Sequence, residues 1–215
     1  MTDVIFWDVD TQHDFMHADG KLYVPESESL IPNLRQLTDR AHATGIRIVA
    51  SADVHELGHG EISDSPDFEE TFPPHCLKGT AGQRKIPETA LVDPLVIEPE
   101  PMDERELRRQ VIAHSGDILF HKHWFDVFSN PNVQPVVDTL DPLEIVVYGV
   151  ALDVCDRYAV EGLLQHHPKT RLSLVLDAVK PIVPERGQQL LSDWEQRGVA
   201  LITTEQALAK VAGEH

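Results

Sequence analysis

Cys155 stands in the surroundings that most invite chemistry. It closes the run Tyr148-Gly149-Val150-Ala151-Leu152-Asp153-Val154-Cys155, where an apolar, strand-like stretch ends at Gly149 or Val150 and a helical pattern begins within a few residues. A thiol at a helix amino terminus sits in the positive end of the dipole, which favours the thiolate. The unsatisfied N–H groups of such a turn can also cradle an oxyanion. On spacing alone the same residue fits better as a small buried apolar side chain, the state of most free cysteines. Other reactive types follow other apolar runs: Asp8, Asp10 and Asp14 come after the first, and Lys122 after Ile118–Phe120. Acids in such places often only cap turns. Brought together, however, a carboxylate takes the thiol proton and an ammonium tunes both groups, a set sufficient for amide hydrolysis through a thioester.

A second group of chemistry-bearing residues lies between these. Asp53, His55, His59 and His75 fall in one stretch, Asp53-Val54-His55-Glu56-Leu57-Gly58-His59 followed by Phe72-Pro73-Pro74-His75-Cys76. One carboxylate and three imidazoles suit a divalent metal, with Zn²⁺ first and Mn²⁺ or Fe²⁺ also matched. Cys76 is a soft alternative to His75. Asp64, Asp67, Glu69 and Glu70 read as a solvated acidic face.

The elements that must position these residues follow from hydrophobic patterning. Asp3–Trp7, Ile46–Ser51, Ile118–Phe120, Ile145–Val150, Leu172–Leu176 and Val199–Ile202 are β-branched or aliphatic on both faces, as in strands of a parallel sheet covered from both sides. Leu30, Ile31, Leu34, Leu37 and Ala41 make a helical stripe opened by Ser29 and closed by Gly45. Leu107, Val111 and Ile112 suggest a second helix, and Val154, Tyr158, Gly162 and Leu163 a third. The alternation predicts an α/β fold, a doubly wound, mainly parallel six-stranded sheet with helices on both faces. One connection breaks the rhythm: Ser51 to Ile118 spans more than sixty residues rich in Pro, Gly, His and acids. It leaves the carboxyl end of the second strand, where ligands bind in such sheets.

Composition narrows the class. The 215 residues suit one domain over 1–215, with a long loop at about 52–100. A formal charge of −18 excludes ready binding to nucleic acid or anionic membranes, which need clustered cations. The longest uncharged apolar stretch, Ile145 to Leu152, is far short of the ~20 residues of a membrane span. The opening MTDVIFWDVD has no basic flank or apolar run of an export signal, and two cysteines make no disulfide framework, so a cytoplasmic location is expected.

The motifs also carry a resemblance. Asp10-Thr11-Gln12-His13-Asp14-Phe15 resembles the Asp-x-Gln-x-Asp-Phe opening of the isochorismatase-like cysteine hydrolases, and Gly149–Cys155 resembles their Gly-Val-Ala-Thr-Asp-x-Cys nucleophile turn. Lys122 stands where their lysine is expected. Asp53-x-His55-x-x-x-His59 with Pro73–Thr80 is similar to the metal segment of the nicotinamidase and pyrazinamidase branch. The resemblance implies Asp10 as general base, Lys122 as its charged partner and Cys155 as nucleophile. It implies a cis Val150–Ala151 bond aiming the Ala151 and Cys155 N–H groups at the oxyanion, Phe15 and Phe72 flanking a flat ring, and Asp53, His55, His59 and His75 holding one metal ion. The implied reaction converts nicotinamide to nicotinate and ammonia. Leu152 in place of Thr, Phe72 in place of Trp and His13 in place of Asn bear on the substrate rather than on the reaction type. Another small amide or ureido substrate, a metallohydrolase that leaves Cys155 as packing, and a non-enzymatic binding protein are the rival readings. A homo-oligomer is what family likeness suggests.

Overall fold

A computed structural model describes residues 4–210. Asp3, expected to open the first strand, lies outside them. In chain order the elements are β1 (Val4–Val9), α1 (His13–Met16), α2 (Ile31–Thr44), β2 (Ile48–Asp53), β3 (Leu95–Ile97), α3 (Glu104–Ala113), β4 (Ile118–Lys122), α4 (Val133–Leu140), β5 (Glu144–Val150), α5 (Cys155–His166), β6 (Arg171–Lys180), α6 (Pro184–Gln196), β7 (Ala200–Ile202) and α7 (Thr204–Lys210). All strand pairs are parallel, in the order β3-β4-β2-β1-β5-β6-β7.

The sheet therefore has seven strands, not six. The missed strand is β3, three residues between Pro94 and Pro99 on the sheet edge inside the long connection. A run that short, flanked by prolines and only partly buried, carries almost no hydrophobic period to read.

Alternate side chains of the central strands enter two separate cores. Ile5, Trp7 and Val9 of β1 pack with Leu107 and Val111 of α3, Val136 of α4, Leu163 of α5 and Trp194 of α6. Phe6 on the opposite face packs with Leu34, Leu37 and Ala41 of α2 and Ala207 of α7. Both faces are thus covered, which is why the strand sequences read as continuous apolar runs. The expected α2 stripe begins after a short 3-10 turn at Ser27–Leu30 and ends at Gly45, whose φ of 71° makes the left-handed cap.

Two strand pairings set the geometry of the carboxyl edge. In β1–β5, Val9 is the register partner of Gly149, and in β2–β4 Asp53 is the partner of Lys122. Gly149 has φ 137°, and a Cβ there would lie 2.1 Å from the Val9 carbonyl oxygen. Only glycine permits that approach, which brings the end of β5 against the end of β1. Among the described residues, no helix is long and apolar enough to cross a membrane.

Candidate active site

Four parallel strands deliver the polar groups to one crevice. β1 ends at Val9, and Asp10 follows with φ 46°, a left-handed turn that L-residues adopt at a cost of order 1–3 kcal/mol. Asp53 is the last residue of β2 and Lys122 the last of β4, while β5 runs into the turn before Cys155 at the start of α5. Asp10, Asp53 and Lys122 are fully or almost fully buried, and Cys155 is 8% exposed.

The geometry among them is tight. Lys122 Nζ lies 2.9 Å from Asp10 Oδ2, donates to Asp53 Oδ1, and sits 3.8 Å from Cys155 Sγ. Ser51 Oγ donates to Asp10 Oδ1 at 2.7 Å, which leaves Oδ2 as the oxygen free of any aligned hydrogen bond. Asp10, Asp53 and Cys155 each place a carboxylate or sulfur atom within 4.8 Å of the others. Burial and the Asp53 charge raise the Asp10 carboxyl above the usual carboxylate range despite Lys122. Burial pushes the Cys155 thiol up, Lys122 opposes this, and Asp10 and Asp53 add to it. Burial alone would lower Lys122, but its two carboxylate neighbours hold it protonated. The resting arrangement is therefore a thiol, a carboxylate with a raised proton affinity, and a permanent ammonium between two carboxylates.

The turn that carries the thiol has a distinctive backbone. The Val150–Ala151 peptide bond is cis. The Ala151 carbonyl accepts from the Val154 and Asp156 N–H groups at 3.0 and 3.1 Å, which folds the turn back on itself. Among the described residues the Ala151 and Cys155 N–H groups make no bond within the chain, so both remain as donors. Leu152 N–H donates to Lys180, and Asp153 accepts from Ile182 and Val183 at 2.7 and 2.9 Å, so the turn is anchored to the strand and loop beside it.

Phe15 and Phe72 line a narrow cavity over Cys155 together with Leu22, Val24 and Phe125. Phe125, which patterning did not single out, belongs to a short connection after Lys122 with no period of its own. Asp53, Glu61 and His75 form the polar end of the same cavity.

That polar end is a set of ligand atoms. Asp53, His55, Glu61 and His75 are all buried, and their donor atoms lie within 4.8 Å of one another. His75 Nδ1 lies 2.8 Å from the Pro73 carbonyl, which assigns the proton to Nδ1 and leaves Nε2 as a lone pair. Both nitrogens of His55, His75 Nε2 and Glu61 Oε2 have no hydrogen-bond partner. Buried polar atoms left in that state are costly, and a divalent cation satisfies all four residues at once. Without it, Asp53 and Glu61 overcome burial and raise His75 to about 9, so metal loading must displace a proton. Lys122 likewise overcomes burial to hold Asp53 well below the usual carboxylate range.

His59, expected as a ligand, stands outside this group. Its Nδ1 accepts from the Glu56 N–H at 3.2 Å, which places its proton on Nε2, and its ring lies 4.1 Å from that of His123. Glu61 takes its place. The turn Glu56–His59, closed by the His59 N–H donating to the Glu56 carbonyl at 3.0 Å, carries that imidazole past the cluster, while the Glu61 carbonyl accepts from Phe72 N–H at 2.8 Å and brings Glu61 in opposite His75. Cys76 is buried, but its thiol faces the Gly82 carbonyl and its N–H donates to Asp14, away from the ligand atoms. The acidic run is exposed, although Asp67 Oδ1 also accepts from the Glu69, Glu70 and Thr71 N–H groups and folds that loop.

The motif residue Gln12 explains how two strands hold one site. Its fully buried amide accepts from Asp53 N–H at 2.7 Å and donates to the Asp53 carbonyl at 2.8 Å and the Gln83 carbonyl at 2.6 Å. The turn carrying Asp10 is thereby fixed to the end of β2.

Comparison with known proteins shows likeness in sequence and in fold. A family model described as the isochorismatase domain matches residues 5–103. The chain is 29% identical over 168 residues to the nicotinamidase of Escherichia coli K12, covering 73% of this chain and 74% of that one. It is 25% identical over 202 residues to the nicotinamidase of Saccharomyces cerevisiae, covering 81% and 86%. Among solved structures, the pyrazinamidase of Pyrococcus horikoshii in complex with zinc superposes with a TM-score of 0.71 at 23% identity, covering 94% of this chain and 99% of that one.

Proposed function

We propose that this chain, which belongs to the isochorismatase-like superfamily, is an amidohydrolase that converts nicotinamide to nicotinate and ammonia through a Cys155 thioester. The observation that carries the reading is the meeting of Asp10, Lys122 and Cys155 beside two unengaged N–H groups in a cavity walled by phenylalanines. Likeness to nicotinamidases over about three quarters of the chain supports the substrate.

The chemistry follows from the residues. Asp10 takes the proton of Cys155 as sulfur attacks the carboxamide carbon, so charge develops on the carbonyl oxygen and not on an isolated thiolate. That oxygen is met by the Ala151 and Cys155 N–H groups. Lys122 stays charged throughout and keeps Asp10 ionised until the proton arrives. The intermediate collapses with loss of the amine, which takes the Asp10 proton and leaves as ammonia. Asp10 then deprotonates a water that attacks the thioester, releasing the carboxylate and restoring the thiol. Phe15 and Phe72 hold a planar ring in a near-attack position. Asp53, His55, Glu61 and His75 would hold a divalent cation, Zn²⁺ the first choice, which would supply a Lewis-acid anchor for the ring nitrogen.

Ammonia release from nicotinamide by wild type and Cys155→Ala tests the reading. Turnover in the wild type and none in the variant is the expected result. Undiminished turnover in Cys155→Ala would transfer the reaction to a metal-bound hydroxide, and turnover only of other amides or ureido compounds would move the substrate.

A further inference from the structure

The narrow cavity over Cys155 opens into a wider chamber of about 630 Å³, and the two share Leu22, Phe72, Phe125, Val154 and Ile182 as common walls. The chamber is far larger than the inner cavity. Its charged residues are Asp67, Glu69, Asp153, Arg157 and Arg186. A second groove between α5 and α6 meets the chamber at the same two arginines.

The acids and the arginines there differ in how they are engaged. Asp153 accepts from the Ile182 and Val183 N–H groups, and Asp67 accepts from three N–H groups of its own loop. Asp193 in the adjoining groove pairs with Arg197 at 2.9 Å. Glu69 alone of the chamber acids lacks such a partner, and it projects from the opposite loop. The ion-paired arginines of the described chain are Arg35, Arg109, Arg171 and Arg197, so Arg157 and Arg186 have no carboxylate partner. Arg157 instead lies 5.5 Å over the Tyr158 ring, which keeps its guanidinium against an aromatic face of the chamber. Both are exposed. In a chain with twice as many acids as basic residues, 36 against 18, two arginines lining one chamber beside Asp153 with no carboxylate in ion-pair contact stand out.

We propose that this chamber receives an anionic arm of the substrate, so that the preferred substrate class is a ring carboxamide bearing a distal carboxylate or phosphate. The inference rests on the amidohydrolase reading of the inner site and adds a subsite to it. The ring and amide occupy the phenylalanine-walled cavity, the arm passes between Phe72 and Ile182, and its charge meets Arg157 and Arg186. Guanidinium pairs recognise both carboxylate and phosphate in bidentate fashion. Glu69 on the facing loop disfavours an arm that strays from the arginine wall.

The test compares three pyridine-3-carboxamides substituted at carbon 5: a carboxyethyl arm, a phosphonoethyl arm and a neutral propyl arm. At low ionic strength the expected kcat/KM for at least one anionic substrate exceeds that for the propyl compound by roughly tenfold, and the ratio shrinks in added salt. The more favoured arm identifies the anion. Arg157→Ala and Arg186→Ala each reduce the ratio, and Arg157→Glu reverses it. A ratio near one, or one indifferent to salt and to the arginine substitutions, overturns the subsite. A separate calorimetric titration with 3-(pyridin-3-yl)propanoate, which has no amide, reads the chamber without turnover. Salt-sensitive binding that weakens in the arginine variants supports the subsite even if nicotinamide is not hydrolysed. Binding that ignores both substitutions counts against the subsite whatever the activity.

Discussion

Asp53 and Lys122 are register partners at the ends of two adjacent strands, and their side chains form a buried ion pair. The other Asp53 oxygen, Oδ2, lies 3.9 Å from His55 Nε2 and 3.8 Å from His75 Nε2. One carboxylate therefore serves the lysine of the catalytic group with one oxygen and the ligand cluster with the other. Asp53→Ala is expected to abolish tight metal binding and also to slow acylation of Cys155 by a reactive ester that has no ring nitrogen. His75→Ala should lose the metal and nicotinamide turnover while keeping the ester reaction. Equal ester rates in the two variants would show that Asp53 serves the metal alone.

The ligand set itself is open to test by elemental analysis of purified protein. Glu61→Gln is expected to lower bound metal well below one per chain, because it removes a charged oxygen facing His75. His59→Ala should leave metal content near that of the wild type, since its lone pair is used by the Glu56 N–H. Loss of metal in His59→Ala with retention in Glu61→Gln would return the assignment to the three-histidine set.

Asp10 and Lys122 act on Cys155 with opposite signs. Burial dominates the raised thiol, Asp10 adds to the rise and Lys122 opposes it. Removing the carboxylate in Asp10→Asn should therefore lower the pH at which iodoacetamide modifies Cys155, and Lys122→Ala should raise it. Turnover is expected to fall in both by roughly the 10²–10⁴-fold of a positioned acid–base group. Because the Asp10 carboxyl is raised, activity in the wild type should fall with decreasing pH at a point above the ordinary carboxylate range. An alkylation profile unmoved in Asp10→Asn would mean that its carboxylate does not face the sulfur.

The two cysteines should separate cleanly. Cys155→Ala is expected to remove turnover and the site of trapping by an aldehyde analogue, with the melting temperature preserved. Cys76→Ala should keep most activity, as its thiol faces the Gly82 carbonyl. Modification of Cys76 by the aldehyde would contradict this separation.

Gly149→Ala is expected to fail as a fold. The added Cβ has no room against the Val9 carbonyl, and the backbone there is in a region that side chains rarely adopt. A loss exceeding roughly 4 kcal/mol is appropriate to such a clash in a strand core. A melting temperature close to that of the wild type would show that β1 and β5 can separate at this point.

Asp10, Asp53 and the turn before Cys155 were legible in the chain because they stand at the ends of long apolar strands, whereas Lys122 closes a shorter, half-buried one. Val4–Val9, Ile48–Asp53 and Glu144–Val150 are buried on both faces, so their ends announce themselves as abrupt arrivals of Asp10, Asp53 and the Gly149 turn. The ligand cluster was only partly legible. Asp53, His55 and His75 are where their motif puts them, but Glu61 looks like any acid in an acidic loop. Its role depends on the backbone pairing of Glu61 with Phe72, which leaves no period in the sequence. β3 was hidden for a similar reason, since three residues between prolines hold too little pattern. Gln12 sat inside a recognised motif, yet its task of gripping the Asp53 main chain appears only once β1 and β2 lie side by side.

The position of β1 in the middle of the sheet also governs how the chain can be made. β1 pairs with β2, and its other edge stays uncovered until β5, more than 130 residues later, has been synthesised. Until then the run Val-Ile-Phe-Trp-Asp-Val presents unpaired backbone groups and large apolar side chains, the combination that promotes edge-to-edge association. Pairings so distant in sequence also close slowly. Chains ending before residue 144 should consequently collect in the insoluble fraction, and the full chain, in which β6 in turn covers β5, should not. The same delay keeps Asp10 and Cys155 apart throughout synthesis, so amidase activity should emerge only with the last long-range closure and never in a partly built chain.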